Sequence, residues 1–439
     1  MFIFDTIVAE ATAPFESALS IVRLSGTKTN EILERLTEKS IDQFKPRMTY
    51  NRNIYTVDHK KIDNAVIVYF EKGKSFTGEE SAEFYVHGSR IIVNELIDTI
   101  ITLGARRAEG GEFTAKAYYN GRMSLVEAEA INEIIKAKTT KGKDLALKTL
   151  SGENREKIEN IRTELLDIMA RIEVDIDYPE YDDEEAIFEK LKIDLPIISQ
   201  KVKSLCADSK SALYYLTGIK VALVGRPNVG KSTILNSLLG YDKAIVTNIP
   251  GTTRDVVEGE KNINGVLYKF FDTAGIRDNP DPIEKIGIEK SHDTIKDADI
   301  ILYIYDKFDE EEYKDILIES NDKPVVKVQN KNDINSVDKE NDISISATSK
   351  KVNVIYEIIN KRLDIRETVE GGFASKRDLD LLDSKQLSEA VFNIEEGMTI
   401  DVIETMLLNS THKLDELLGN NQTMEDLYST VFAKFCVGK

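Results

Sequence analysis

The chain has 439 residues and a mass of 49.5 kDa, with 58 Lys and Arg against 77 Asp and Glu, so its net charge is −19. Hydrophobic residues at 41% and charged residues at 31% describe a folded protein of several domains and exclude collagen-like, mucin-like and wholly disordered chains. The sign of the charge excludes a bulk electrostatic grip on nucleic acid, so any RNA contact is local or shared with a partner. Cys206 and Cys436 cannot build a disulfide framework and no Cys/His cluster has zinc spacing, which predicts a reducing compartment. The opening MFIFDTIVAEATAPF lacks a basic start followed by a long apolar run, and no window approaches the ~18 apolar residues of a membrane span. These features predict a cytoplasmic protein without membrane contact.

From Phe4 to about Gly121, strand-like runs such as ALSIVRL and NAVIVYF and an amphipathic helix around Ile91 to Leu103 predict a small α+β domain. Beyond Ser124 the period becomes helical, with Ile158, Ile161, Leu165, Ile168, Met169 and Ile172 on one face. The acidic, Pro-containing DIDYPEYDDEE ends that helix and reads as a solvated inter-helix loop. A further helix, Phe188 to Leu216, precedes a strand. Between about Lys220 and Leu363 the runs IKVALVG, KFFDTAG, DIILYIYD, PVVKVQNK and ISISA alternate with helical or loop segments, the pattern of a doubly wound parallel sheet. Helical spacing returns after Gly371-Gly372, through Leu387, Ala390, Val391 and Ile394, then Val402, Ile403, Met406 and Leu407. The fold class expected is therefore multidomain, α+β and α/β. An N-terminal domain spans 1–120, a helical domain is split into 121–216 and 373–439, and a P-loop domain of Ras-like, doubly wound type is inserted at 217–372. No fixed repeat of 20–50 residues occurs.

Gly225-Arg-Pro-Asn-Val-Gly-Lys-Ser232 matches G-x-x-x-x-G-K-S after an apolar strand and before a helix, the context a phosphate-binding loop requires. Its glycines let backbone N–H groups of Asn228, Val229, Gly230 and Thr233 turn toward phosphates. Lys231 places a charge on the β- and γ-phosphates, and the Ser232 hydroxyl is offered to Mg²⁺. Asn330-Lys331-Asn-Asp333 has the N-K-x-D pattern, in which the Asp carboxylate accepts two N–H donors from guanine, so GTP is favoured over ATP. Ser346-Ala347 is similar to the loop that closes over guanine. Asp272-Thr273-Ala274-Gly275 follows another strand and suits a magnesium-bound water and a γ-phosphate contact. Between these motifs lies Thr247-Asn248-Ile249-Pro250-Gly251-Thr252-Thr253, where Thr253 is the choice for a second Mg²⁺ ligand and Thr252 the alternative. No Gln follows the Asp-Thr-Ala-Gly run. Glu284, in the polar loop beyond, is the candidate for orienting the hydrolytic water, although such a Glu also reads as merely solvated.

Taken together, DTIVAEAT, SFTGEESAEFYVHG, GGEFTAKAYYNGRMSLVEAEA, the inserted GTPase motifs and the closing Cys436-Val-Gly-Lys439 resemble the MnmE (TrmE) family of tRNA-modification GTPases over nearly the whole chain. The resemblance implies an N-terminal folate-binding and dimerising domain, hence a homodimer. It also implies G domains that meet when GTP and K⁺ are bound, and an FAD-containing partner, MnmG (GidA), in a heterotetramer or larger complex. That pair would install carboxymethylaminomethyl or aminomethyl groups at carbon 5 of the tRNA wobble uridine. The one-carbon unit would come from a tetrahydrofolate, as 5,10-methylene- or 5-formyl-tetrahydrofolate. By the same resemblance Asn228 is the side-chain ligand of K⁺, with Thr247, Ile249 and Thr252 completing its site, and Glu284 aligns the water. Arg23, Glu83, Arg122 and Lys439 match the folate positions. Cys436 is implied to lie beside that site, with a catalytic thiolate and a small buried structural Cys as its alternatives, and Cys206 reads as core. Departures from the family pattern are Phe15-Glu-Ser-Ala18 in place of a glycine-rich turn, Gly110-Gly-Glu-Phe113 in place of P-G-E-F, and Arg122 in place of Lys. The alternative reading is a ribosome-assembly GTPase of the Era or Der type, which shares the GTPase motifs but not the flanking domains.

Overall fold

The computed structural model describes residues 4–177, 184–240, 259–272, 294–333, 341–346, 350–369, 371–373, 375–382, 384–420, 427–428 and 431–438. Two compact units divide the chain: Met1–Asn132, Leu150–Ile198 and Lys385–Lys439 form the first, Glu133–Thr149 and Ser199–Ser384 the second.

In chain order the first unit begins with strands β1 (Ile7–Glu10) and β2 (Ser17–Ser25), helix α1 (Thr29–Thr37), and strands β3 (Thr49–Tyr55), β4 (Lys61–Phe70) and β5 (Ser81–Gly88). Helix α2 (Arg90–Thr102), the short strand β6 (Arg106–Arg107) and helix α3 (Glu112–Tyr119) follow. The strands form one sheet in the order β3-β4-β5-β2-β1-β6, antiparallel except for the parallel β1–β6 pair. Alternation along β2 and β5 decides what each face carries. Val22, Leu24, Ala82, Phe84 and Val86 point to a core closed by Ile32, Leu33 and Leu36 of α1 and Val93, Leu96, Ile97 and Ile100 of α2. Burying each such side chain contributes roughly 1.5–3 kcal/mol. The residues between them, Arg23 and Glu83, are directly opposite each other on the other face, beside a smaller cluster of Ile7, Ala9, Ala108 and Phe113.

Helices α4 (Leu125–Lys136), α5 (Thr140–Leu150), α6 (Glu153–Asp177) and α7 (Glu184–Thr217) come next. In α6 the predicted stripe is real: Ile158, Ile161, Leu165, Ile168 and Ile172 are buried, with Met169 at its half-exposed margin. In the same unit Arg162 of α6 pairs with Asp415 of helix Ile400–Leu418 at 2.6 Å. Cys206, read from the sequence as core, is only half-buried, and its thiol donates to the Leu382 carbonyl at 2.5 Å.

The second unit holds β7 (Ile219–Val224), helix α8 (Lys231–Leu239), β8 (Gly259–Ile263), β9 (Val266–Asp272), β10 (Ile300–Tyr305), β11 (Val325–Gln329) and β12 (Ile343–Ser344). Their order is β12-β11-β10-β7-β9-β8. β7, β9, β10, β11 and β12 are parallel, and the central β10 is apolar and buried at every residue, as a strand covered on both faces must be. At the edge of this sheet β8 pairs antiparallel with β9. The cause is local, since Asn264-Gly265 both take positive φ, 51° and 84°, and close a tight hairpin whose twist suits the strands.

Candidate functional site

Strand β7 runs straight into the loop Gly225–Gly230, which delivers the chain to the N-terminus of α8 at Lys231. The two outer glycines have φ of 146° and 99°, values a side-chain-bearing residue rarely adopts. A Cβ on Gly225 would overlap the carbonyl oxygen of Ile304, so close backbone approach requires glycine there. Asn228 takes the left-handed conformation at φ 65°, which Asn tolerates better than most residues. The Lys231 side chain is 5% exposed and its ammonium donates to the carbonyls of Gly225 and, at 2.9 Å, Arg226. Ser232 and Thr233 occupy the next positions in the first turn of α8, where the N–H groups point along the helix axis and the helix dipole favours an anion.

The second motif is wired to the first. Asn330 is 2% exposed; its N–H donates to Tyr305 O at 2.7 Å and its side-chain amide donates to Val229 O at 2.8 Å. Lys331 reaches Asn228 O at 2.9 Å and Asp306 at 3.3 Å. Asn332 N–H donates to Ile345 O at 3.2 Å, which brings the segment before Ser346 alongside the motif while the Asp333 carboxylate stays exposed. Asp272 ends β9, a strand adjacent to β7. Thus Asn228, Val229, Gly230, Lys231, Ser232, Thr233, Asp272, Asn330, Lys331, Asp333 and Ser346 belong to one sheet and its connections. Thr247, Asn248, Ile249, Pro250, Gly251, Thr252, Thr253, Thr273, Ala274, Gly275, Glu284, Ala347 and Lys439 lie outside the described residues. Among the described residues no cluster of His, Cys, Asp and Glu forms a metal centre.

Sequence reasoning passed over Arg226, the variable residue after Gly225. Its guanidinium pairs with Asp309 and, at 3.5 Å, with Glu312. Asp309 caps the helix Glu310–Ser320 by accepting from Glu312 N and Glu311 N at 3.0 and 3.1 Å. The Glu312 amide foremost, then Arg226, holds its carboxyl below the usual range. With Arg226 and Asp309 83 positions apart in the sequence, no local spacing signals the pair.

In the first unit, Arg23 and Glu83 do meet. Arg23 Nε and Nη2 lie 3.0 and 2.9 Å from Glu83 Oε1, while Nη1 donates to the Gly438 carbonyl at 3.2 Å. The guanidinium also lies 5.8 and 5.7 Å from the ring centres of Phe76 and Phe113. Arg122 is exposed and donates to Gly73 O at 3.1 Å, at the other end of the loop that carries Phe76. Cys436 is exposed, which corrects the alternative of a small buried structural Cys: the chain there is a surface strap whose side chains at 436 and 437 face outward. Beneath the Phe76 loop, and not anticipated, Lys116 is 1% exposed and donates to Glu79 Oε2 at 2.8 Å and Asp5 O at 2.7 Å. Ser25 donates to the same Glu79 carboxylate at 2.9 Å.

Two family descriptions match: "GTP-binding protein TrmE N-terminus" over residues 6–122 and "MnmE helical domain" over residues 125–436. The chain is 40% identical to the tRNA modification GTPase MnmE of Fervidobacterium nodosum, over 99% of this chain and 98% of the relative. It is 38% identical to that of Clostridioides difficile, over 100% of both, and 35% identical to that of Mycoplasma genitalium, over 99% of both. A crystal structure of Era from Aquifex aeolicus bound to GDP.AlF4- aligns with 35% of this chain at 31% identity and a TM-score of 0.26, too slight a likeness to bear on fold or function. The flanking domains therefore disfavour the ribosome-assembly alternative. Matched along its full length at both its N-terminal and its helical domains, the chain belongs to the MnmE family of tRNA modification GTPases.

Proposed function

We propose that this GTPase, working in the cytoplasm as a homodimer with an FAD-containing partner of the MnmG type, modifies carbon 5 of the tRNA wobble uridine. The product is a carboxymethylaminomethyl or aminomethyl group. The full-length likeness to relatives named tRNA modification GTPase MnmE carries the reading. Among the described residues no helix is long and apolar enough to cross a membrane.

The loop and helix geometry suits a nucleoside triphosphate: two glycines at positive φ, the Lys231 ammonium folded over the loop, and the first turn of α8 beneath it. Asp333 selects guanine, with Ser346 and Ala347 closing over the base. Ser232 and Thr253 would hold Mg²⁺. Asn228 with Thr247, Ile249 and Thr252 would hold K⁺, whose charge stabilises charge developing on the phosphates and takes the place of an arginine finger. Glu284 orients the attacking water. In the N-terminal domain the Arg23–Glu83 pair, Arg122 and Lys439 supply the cation and carboxylate chemistry that the glutamate tail and pterin of a tetrahydrofolate require. The tetrahydrofolate, as the 5,10-methylene or 5-formyl form, would donate the one-carbon unit, with Cys436 nearby as a catalytic thiol.

Mass-spectrometric nucleoside analysis of tRNA from cells with and without the gene tests the reading. Loss of the aminomethyl-type wobble uridines on deletion is expected; their persistence at normal abundance overturns it.

A further inference from the structure

The second unit carries a row of charges across its sheet, toward the N-terminal ends of β7, β10 and β11, whereas the phosphate loop leaves β7 at its C-terminal end. Lys269 of β9 lies between Tyr268 and Phe270, and Lys220 of β7 between Ile219 and Val221. All four neighbours are buried in one core, so both lysines project from the opposite face of the sheet. Strand register sets Glu260, Lys269 and Lys220 directly side by side on β8, β9 and β7. Asp299, just before β10, continues the row: its N–H donates to Lys220 O at 2.9 Å and its carboxylate accepts from Lys220 N–H at 2.8 Å. Lys323, just before β11, follows, with its ammonium on the Ile295 carbonyl at 3.1 Å. At the other end half-exposed Lys138 donates to Glu260 at 2.9 Å. Exposed Lys376 and the carboxylate of Asp297 both lie close enough to act on Lys323.

Like charges side by side on adjacent strands repel each other. Burial foremost, then the Lys138 charge with Lys220 adding to it, pushes the Lys269 ammonium down despite Glu260 and Asp299. Around Glu260, Asp297 and Asp299 the fold thus gathers Lys138, Lys220, Lys269, Lys323 and Lys376, a local cationic surplus in a chain of net charge −19. From β8 to β11, at about 4.8 Å per strand, the row runs about 19 Å, a line rather than a pocket. Lysine supplies point charges without the fork by which arginine reads a base edge, so such a line suits the repeated phosphates of a nucleic-acid backbone. We propose that Lys138, Lys220, Lys269, Lys323 and Lys376 form a docking surface for the phosphate backbone of an RNA. It is the local contact that so acidic a chain requires, and its place toward the opposite strand ends leaves the phosphate loop open to GTP. That the RNA is tRNA rests on the function proposed above. The charge row does not.

Fluorescence anisotropy of a labelled, unmodified tRNA with the full-length protein tests the surface. The triple variant Lys138→Gln, Lys220→Gln, Lys376→Gln is expected to raise the tRNA dissociation constant roughly tenfold or more at ~0.1 M salt, and to flatten the slope of log K against log salt by about 2–3, with GTP hydrolysis unchanged. Glu260→Gln removes a carboxylate from the row while keeping an acceptor for Lys138, and is expected to tighten tRNA binding about two- to threefold, which damage to the fold would not do. Unchanged affinity in both variants, or no tRNA binding by the unaltered protein, overturns the surface. Unchanged tRNA affinity together with loss of the complex with the FAD-containing partner in gel filtration assigns the row to a protein and overturns the RNA contact. If the triple variant does not fold, unchanged or weaker binding by Glu260→Gln alone overturns the proposal. Affinities that shift as expected while the wobble uridines persist in cells lacking the gene support the surface and remove the modification reading. Loss of those uridines with unchanged affinities overturns the surface and leaves that reading standing.

Discussion

The side-chain amide of Asn330 donates to the backbone carbonyl of Val229 at 2.8 Å, joining the guanine-reading motif to the phosphate loop across 101 residues of sequence. Both groups are buried, so neither water nor another side chain can take over the bond. Asn330→Ala leaves the Val229 carbonyl without that donor at a cost of about 1–3 kcal/mol. Because the bond shapes the loop, the loss is expected to appear as GTP and GDP dissociation constants raised roughly tenfold or more. Titration with a fluorescent guanine nucleotide checks this, and unchanged affinity would separate the two motifs.

Asn228 sits at φ 65° in the same loop, so removing its side chain and straining its backbone must be told apart. Asn228→Gly keeps the left-handed conformation at little cost, whereas Asn228→Ala adds roughly 1–2 kcal/mol of strain. Potassium stimulation of GTP hydrolysis is expected to vanish in both variants. Equal hydrolysis rates in K⁺ and Na⁺ for the unaltered protein would remove the potassium proposal altogether.

Lys116 is buried, and its half-buried partner Glu79 belongs to the loop that carries Phe76. Lys116→Met leaves a carboxylate with its main partner gone and is expected to destabilise the first unit by about 3–5 kcal/mol. Adding Glu79→Leu should recover a large part of that, because no uncompensated charge then remains. Urea unfolding of the single and double variants checks the non-additivity; simple additivity would mean that the pair is not coupled.

Arg162 and Asp415 join α6 to the helix Ile400–Leu418, and their contribution depends on pH. Burial by itself pushes the Asp415 carboxyl up, but hydrogen bonds from Arg162 and Asn420, with the Arg162 charge, bring it below the usual carboxylate value. A lowered folded-state pKa gives stability that is full above the unfolded value of about 3.9 and is lost as pH falls through the folded one. Asp415→Asn is therefore expected to destabilise these helices by about 1–3 kcal/mol at neutral pH, with the difference from the unaltered protein shrinking below pH ~4. Hydrogen exchange in peptides covering 153–177 and 400–418 measures it, and a pH-independent difference would contradict the linkage.

Much of this was legible in the linear chain because it rests on neighbours in sequence. A phosphate loop is made of consecutive backbone N–H groups, so GRPNVGKS announces itself wherever a strand precedes it and a helix follows. Helix α6 shows its buried stripe because the 3.6-residue period is a local property. Even the antiparallel β8 edge has a local sign, Asn264-Gly265.

Other relationships have no local sign. Arg23 and Glu83 could each be a lone surface charge until the register of β2 against β5 sets them side by side. Arg226 finds Asp309, and Arg23 finds the Gly438 carbonyl, only after distant segments have folded together. Sequence alone thus determined the elements and the chemistry of contiguous motifs, because periodicity and turn geometry are short-range. The tertiary structure alone decided which charges are paired and which carbonyl each cation holds, because strand register and the burial of loops are set by packing between segments tens to hundreds of residues apart.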